Sequence, residues 1–351
     1  MARSLIGLDI GAANVKMIQL KKARGNFQLQ SFGMAPLPPQ TIVENSLMNA
    51  GAVVEAIRRL LSMTEGKVKD CAVSIKGHSV IIKRISLPQM SKADLEKSIE
   101  WEAEQYIPFD ISDVNVDVQI LSPTGGEAGQ MDVLLVAGKK DIIYDYTAVI
   151  TEAGLNPIYV DVDAFAMANA FEINYPISPD ETVALIDIGA GTTKIIVLSG
   201  RMPTFTRDIN MGGQQFTEEL QKQLGLSYEE AEALKLGGDE ELEAESVIPQ
   251  EVERIIQESS EVLVQEVRRS LEFFSATSQD ADIARLFLCG GTAKISSLHK
   301  ILESRTGIPV TVMDPFRNIE IQEKQFNMDF LRNSAPMAAV AVGLGLRRFD
   351  E

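Results

Sequence analysis

LIGLDIGAANVKMIQL, residues Leu5 to Leu20, and VALIDIGAGTTKIIVL, residues Val183 to Leu198, are two versions of one element. They align without a gap and match at seven of sixteen positions, with Asp9 and Asp187 178 residues apart in a chain of 351. A period of nearly half the chain is too long for a solenoid repeat. Two lobes that open with the same hairpin account for it. In each copy an apolar strand (Leu5 to Ile10; Val183 to Ile188) enters a glycine turn and returns as a second strand (Val15 to Lys21; Lys194 to Leu198). Third strands are expected at Phe27 to Phe32 and Pro203 to Ile209, in a largely antiparallel meander. Covering helices at Ala52 to Leu61 and Gln214 to Leu224 complete a mixed α/β layer pattern.

The hairpins also carry chemistry. A strand that ends in Asp-Ile-Gly presents a carboxylate at its tip, and the bare turn leaves backbone N–H groups open to phosphate oxygens. Facing each other, two such tips would clasp a polyphosphate. Asp9 and Asp187 would then stand where a magnesium ion, held by one or two carboxylates and waters, bridges to it. Thr192 and Thr193 add hydroxyls and Asn14 an amide, while Lys16 and Lys194, at equal spacing, reach the same charge. One Asp-x-Gly turn alone usually marks only a hairpin; the second copy is what points to a ligand. A third glycine element, LFLCGGTAKI from Leu286 to Ile295, ends a strand in Gly290-Gly291 before a helix near Ser296, and bare backbone there admits a flat purine. Neither G-x-x-x-x-G-K-[ST] nor G-x-G-x-x-G occurs, so a nucleotide site here is of the two-lobed kind.

Composition narrows the class. A net charge of −17 repels nucleic acid and anionic lipid, and 45% apolar residues support a packed core. The longest polar-free stretch near either end, Ala335 to Leu346, has 12 residues, short of the ~18–20 of a membrane span. Asp9 interrupts any export signal. Cys71 and Cys289 read as reduced core thiols, with one buried disulfide left open, and His78 and His299 complete no zinc spacing. A cytoplasmic protein is expected.

Between the hairpins, Ser91 opens a helix with Leu95, Ile99, Ala103 and Tyr106 on one stripe and a stop before Pro108. Strands at Val114 to Leu121 and Asp132 to Ala137, around the turn Pro123-Thr124-Gly125-Gly126, lead to a helix from Asp141 to Ala153 closed by Gly154. This is a small α/β insertion. In the second half Ser227 and Glu230 form a capping box, and an acidic loop, Asp239 to Glu245, precedes a long helix from Pro249 to Ala276.

Five segments, in order, resemble the actin-like ATPase superfamily. Leu8 to Lys16 and Leu185 to Lys194 are similar to its phosphate motifs, and Leu286 to Ile295 to its adenosine motif. Asp163 to Phe171 and Ala335 to Leu346 are similar to its connecting helices. Ile85 to Leu121 and Asn210 to Lys235 resemble the PilM family of type IV pilus assembly more closely. The resemblance implies an α/β, two-lobed actin-like (ribonuclease H-like) ATPase fold with an FtsA-type inserted subdomain. Residues 1–85 would form the first lobe, 86–157 the insertion, and 158–178 the return with a connecting helix. The second lobe would take 179–212, a helical subdomain 213–284, and the adenosine motif with the last helix 285–351.

The resemblance further implies ATP with Mg2+, the metal at Asp9 and Asp187. The nucleotide would be held by Asp9, Gly11, Ala12, Asn14, Lys16, Asp187, Gly189, Gly191, Thr192, Thr193, Gly290, Gly291 and Ala293, with Glu232 and Lys235 at the ribose. Asp163, with Asp161 close by, matches the acid that orients water in filament-forming relatives; an ordinary helix N-cap is the equal alternative. Hydrolysis would be slow at most. The implied partner is the N-terminal cytoplasmic peptide of a PilN-type inner-membrane protein, in a groove between the first lobe and the insertion, together with other pilus assembly components. The protein would be cytoplasmic and held at the inner membrane by that partner, without nucleic acid or direct membrane insertion; self-association is open. FtsA carries a C-terminal membrane helix, whereas this sequence stops at Arg347-Arg348-Phe349-Asp350-Glu351. Trp101 lies off the apolar stripe and faces the groove, another subunit, or neighbouring strands. The competing readings are an FtsA-like filament-forming division scaffold and a small-molecule kinase, for which Asp163 is the one candidate base.

Overall fold

The computed structural model describes residues 5–23, 25–64, 68–122, 129–237, 248–278 and 282–347. The expected turn at 123–126, the acidic loop at 239–245 and the tail at 348–351 lie outside these.

Both hairpins form in the register that the repeat implies. Ile6–Ile10, buried at every position, pairs antiparallel with Asn14–Ala23 and sets Asp9 opposite Lys16. Thr182–Ile188, also buried throughout, pairs with Thr193–Ser199 and sets Asp187 opposite Lys194. Apolar residues on both faces of a strand mark it as central, with layers above and below. The first sheet runs, in spatial order, Asn156–Val162, Asp70–Ile75, Ile6–Ile10, Asn14–Ala23, Asn26–Pro36 and Ile319–Glu320. The second runs Met202–Ile209, Thr193–Ser199, Thr182–Ile188, Ile283–Cys289 and Val310–Val312. The expected meander therefore covers only three strands per lobe. On the other side of each first strand the neighbour is parallel, because the intervening chain returns through helices.

Two helices fill the space between the sheets. Asp163–Asn174 crosses Ala339–Leu346 closely, and a Cβ on Gly343 would overlap the backbone of Ala166. Leu5, Ile18 and Leu20 of one sheet and Leu185, Ile196 and Leu198 of the other join these helices in a single core. The helix expected over Ala335 to Leu346 starts differently. Ala335–Ala338 is a 3-10 turn with Pro336 in it, and the Pro336 carbonyl accepts the Gly290 N–H at 2.8 Å instead of continuing a helical ladder. Similarly, a 3-10 turn over Gly291–Lys294 delays the next helix to Leu298–Thr306.

The insertion is a three-stranded antiparallel sheet, Val80–Pro88, Gln130–Lys139 and Val114–Ser122, with Gln130–Lys139 central. Lys92–Ala103 covers it, and Leu95 and Ile99 pack on Val133 and Leu135 in a separate core. Its limits differ from the expected 86–157. Val80–Pro88 pairs along its whole length with Gln130–Lys139, so the unit begins at Val80. Lys140–Glu152 packs Tyr146, Val149 and Ile150 into the first-lobe core, and Asn156–Val162 is a first-lobe strand, so the unit ends near Lys139. Trp101 is 67% exposed, so it does not pack over the strands.

Cys71 and Cys289 are free and buried, and burial, aided by the Asp70 charge, pushes the Cys71 thiol up to about 12. Among the described residues no helix is long and apolar enough to cross a membrane.

Candidate functional site

The two hairpin tips meet across one cavity of about 750 Å³. Asp9, Gly11, Ala12, Asn14 and Lys16 line it from the first lobe; Asp187, Gly189, Gly191, Thr192, Lys194, Glu232, Lys235, Gly290 and Gly291 line it from the second. The turns close alike, with the Gly11 N–H bonded to the Asn14 carbonyl and the Gly189 N–H to the Thr192 carbonyl, each at 3.0 Å. Helix Gly213–Leu224 is tied to the second turn through Gly213 N–H to the Gly189 carbonyl (2.9 Å) and Gln214 N–H to the Ala190 carbonyl (2.8 Å). Its N-terminus thereby borders the cavity, where its dipole favours an anion, although its first N–H groups are spent on the turn. A Cβ on Gly212 would crowd the carbonyls of Gly189 and Ala190 at 2.6 Å, which explains glycine there.

Three expected residues stand elsewhere. Thr193 is fully buried and donates its hydroxyl to the Met211 carbonyl at 2.7 Å, since the strand alternation that opens Thr192 to the cavity turns Thr193 away. Ala293 packs in the second-lobe core. Asp163, 2% exposed, lies beneath the cavity rather than in its wall. Its side chain also leaves the helix N-cap to Val162.

Charge is paired in layers. Lys16 meets Asp9 at 2.7 Å; Lys194 meets Asp187 at 3.2 Å and Asp163 at 2.5 Å. Burial alone would depress Lys194, but Asp163 and Asp187 outweigh it and hold the ammonium well above the ordinary lysine range. Burial would raise Asp163, yet Lys194 and Lys76, with a hydrogen bond from Ser74, keep its carboxyl below the usual carboxylate range. Asp163 is thus a buried counter-ion: its Oδ1 accepts from Ser74, while its Oδ2 meets Lys194 as an ion pair without a well-aligned hydrogen bond. Neighbouring Asp161 accepts two hydrogen bonds from Arg347. Lys235 donates to Glu232 (2.6 Å), Thr217 Oγ1 (3.0 Å) and the Gly213 carbonyl (3.2 Å); burial lowers its pKa and Glu232 offsets part of that.

Sequence reasoning missed Lys76. Its ammonium donates to the Ile10 carbonyl at 2.8 Å and lines the same cavity. The parallel pairing of Asp70–Ile75 with Ile6–Ile10 puts it there, and no local pattern announces that. The segment Gln40 to Asn45 also lines the mouth, with Gln40, Glu44 and Asn45 all in the left-handed region.

A magnesium–triphosphate pair fits this donor set. Among the described residues no group of three or more His, Cys, Asp or Glu forms a metal cage. Two carboxylates beside several lysines and bare turns instead suit a hard cation that takes its remaining ligands from water and phosphate.

Residues 7–349 match the family described as Type IV pilus assembly protein PilM. A chain in a solved PilM-PilN type IV pilus biogenesis complex is similar with a TM-score of 0.87 and 27% identity, covering 99% of each chain. The structure of MreB 5 of Spiroplasma citri bound to AMPPNP shares the actin-like fold at a TM-score of 0.52 and 13% identity, covering 98% of this chain and 95% of that one. Cell division protein FtsA of Bacillus subtilis (strain 168) is 26% identical over 256 residues, 66% of this chain and 57% of the relative. That of Neisseria meningitidis serogroup B is 24% identical over 253 residues, 65% and 60%. The chain spans less than two thirds of the length of these two curated relatives. With a match from residue 7 to residue 349, the chain belongs to the PilM family of type IV pilus assembly proteins.

Proposed function

We propose that the chain is a cytoplasmic ATP-binding component of the type IV pilus inner-membrane machinery, and that it binds the N-terminal tail of a PilN-type membrane protein in a nucleotide-responsive way. The observation that carries the nucleotide half is the convergence of Asp9 and Asp187, from lobes of repeated sequence, on one lysine-lined cavity. Asp9 and Asp187 would hold Mg2+, which when bound neutralises charge on the phosphates. The bare turns at Gly11 and Gly189 let phosphate oxygens approach the backbone, the Gly213–Leu224 dipole favours their charge, Glu232 and Lys235 take the ribose, and Gly290-Gly291 the purine face. Asp163 is committed to Lys194, which favours slow turnover and a binding role over metabolism.

The partner half rests on family membership and on a second cavity of about 530 Å³ where the small sheet meets both lobes. Ile81, Ile82 and Phe109 give it an apolar wall, and Val80–Pro88 is an edge strand of its sheet. An extended peptide can add to such an edge with alternate side chains in pockets. In this reading the small sheet is the FtsA-type insertion. Trp101 is not among the residues that line the cavity, so Trp101→Ala leaves peptide affinity unchanged. Calorimetric titration of the PilN-type N-terminal peptide should give one site per chain, with a Kd that moves at least about fivefold when Mg-ATP is present. Equal Kd values with and without nucleotide contradict the proposed responsiveness.

A further inference from the structure

The two cavities share a wall. Lys76 and Lys194 line both, and Asp163, which each of them faces, lines the second. Lys76 is 9% exposed and has three N–H donors. One of them goes to the Ile10 carbonyl, directly before the first turn, and Asp163 lies 3.9 Å away, at ion-pair rather than hydrogen-bond distance. A desolvated ammonium in that position has bonding capacity left for an anion in the cleft. Lys194 is likewise divided between Asp187, on the cleft side, and Asp163.

We infer that Lys76 is a third lysine of the polyphosphate site and that, through Asp163, it transmits occupancy of that site to the second cavity; this rests on the nucleotide-binding reading above. A terminal phosphate that draws Lys76 and Lys194 toward the cleft weakens their hold on Asp163. Asp163 is the first residue of the central helix, and Val162, Asp163 and Ala164 are wall residues of the second cavity. The opposite wall, Thr206 to Asp208, belongs to the second lobe, and His78 of the second cavity contacts the amide of Asn210, a lining residue of the first, at 3.2 Å. A change in how Lys194 is shared therefore reaches both walls. Linkage makes the effect reciprocal: a ligand of the second cavity must alter triphosphate affinity by the same factor.

The test needs no partner protein. Both native cysteines are buried, so an Arg207→Cys chain carries one reactive thiol at the second cavity for an environment-sensitive fluorophore. Mg-ATPγS is titrated into this reporter, and its binding is measured separately by equilibrium dialysis. With Lys76 present, emission shifts with the midpoint of nucleotide binding. In Lys76→Met, triphosphate affinity falls at least about tenfold and the emission shift at saturation disappears, whereas Lys76→Arg restores both. Two results overturn the inference: nucleotide bound with no emission change in the Lys76 chain, or a full-sized shift at saturation in Lys76→Met. Absence of nucleotide binding by dialysis overturns the nucleotide-binding reading itself, and the inference falls with it.

Discussion

Gly343→Ala abolishes stable folding or lowers Tm by more than about 10 °C. Gly343 sits where helix Ala339–Leu346 crosses Asp163–Asn174, and its Cβ would overlap the carbonyl and Cα of Ala166. Overpacking a core typically costs ~1–3 kcal/mol because side chains can shift. Here the obstruction is backbone on both sides, so relief requires the helices to separate. Ala166, Ala341 and Val342, all buried in the shared core, would lose their packing, which puts the cost above ~4 kcal/mol. The matched control is Gly51→Ala, in the exposed first turn of Ala50–Ser62, where the nearest group is Asn49 Oδ1 at 3.6 Å. It should be neutral or stabilising by up to ~1 kcal/mol. Differential scanning fluorimetry of both variants suffices; a Gly343→Ala chain that melts with the parent contradicts the assigned crossing.

Lys194→Met should cost ~3–5 kcal/mol at pH 7, because it strands the carboxylates of Asp163 and Asp187 around a buried vacancy of charge. The pH dependence identifies the cause. In the parent, the Asp163 carboxyl lies below its unfolded value of ~3.9, so its contribution is present above that pH and is lost as pH falls through the lower folded value. In the variant the largest attractive charge is gone and burial raises the same carboxyl. Protonation then relieves the strain, and the variant gains on the parent as pH falls. The Tm gap between the two proteins should therefore narrow from pH 7 to pH 4. A gap of constant size assigns the loss to packing alone.

What was legible in the sequence is what local chemistry determines. Apolar runs ending in Asp-Ile-Gly dictated both hairpins and their register, and Ser227 with Glu230 forms the expected reciprocal cap. Most of the cavity lining follows from those turns. The rest depends on register between distant segments. Lys76 matters because Asp70–Ile75 lies parallel to Ile6–Ile10, and Asp163 is a counter-ion because Lys194 reaches it from the other lobe. The turn at Glu44-Asn45 escaped notice because its two left-handed residues lack the glycine that usually signals such a hairpin. The helix expected over Ala335 to Leu346 opens instead as a 3-10 turn, whose Pro336 carbonyl accepts the N–H of the distant Gly290.

The decisive measurement is equilibrium dialysis of radiolabelled ATP, with and without magnesium, against the intact chain and its Asp9→Asn/Asp187→Asn double variant. If both carboxylates cradle one polyphosphate, the parent binds one ATP per chain in a magnesium-dependent manner, and the double variant loses that dependence with affinity at least about tenfold weaker. Equal, magnesium-independent binding by the two proteins, or none by the parent, would show that the facing hairpins do not form a nucleotide site.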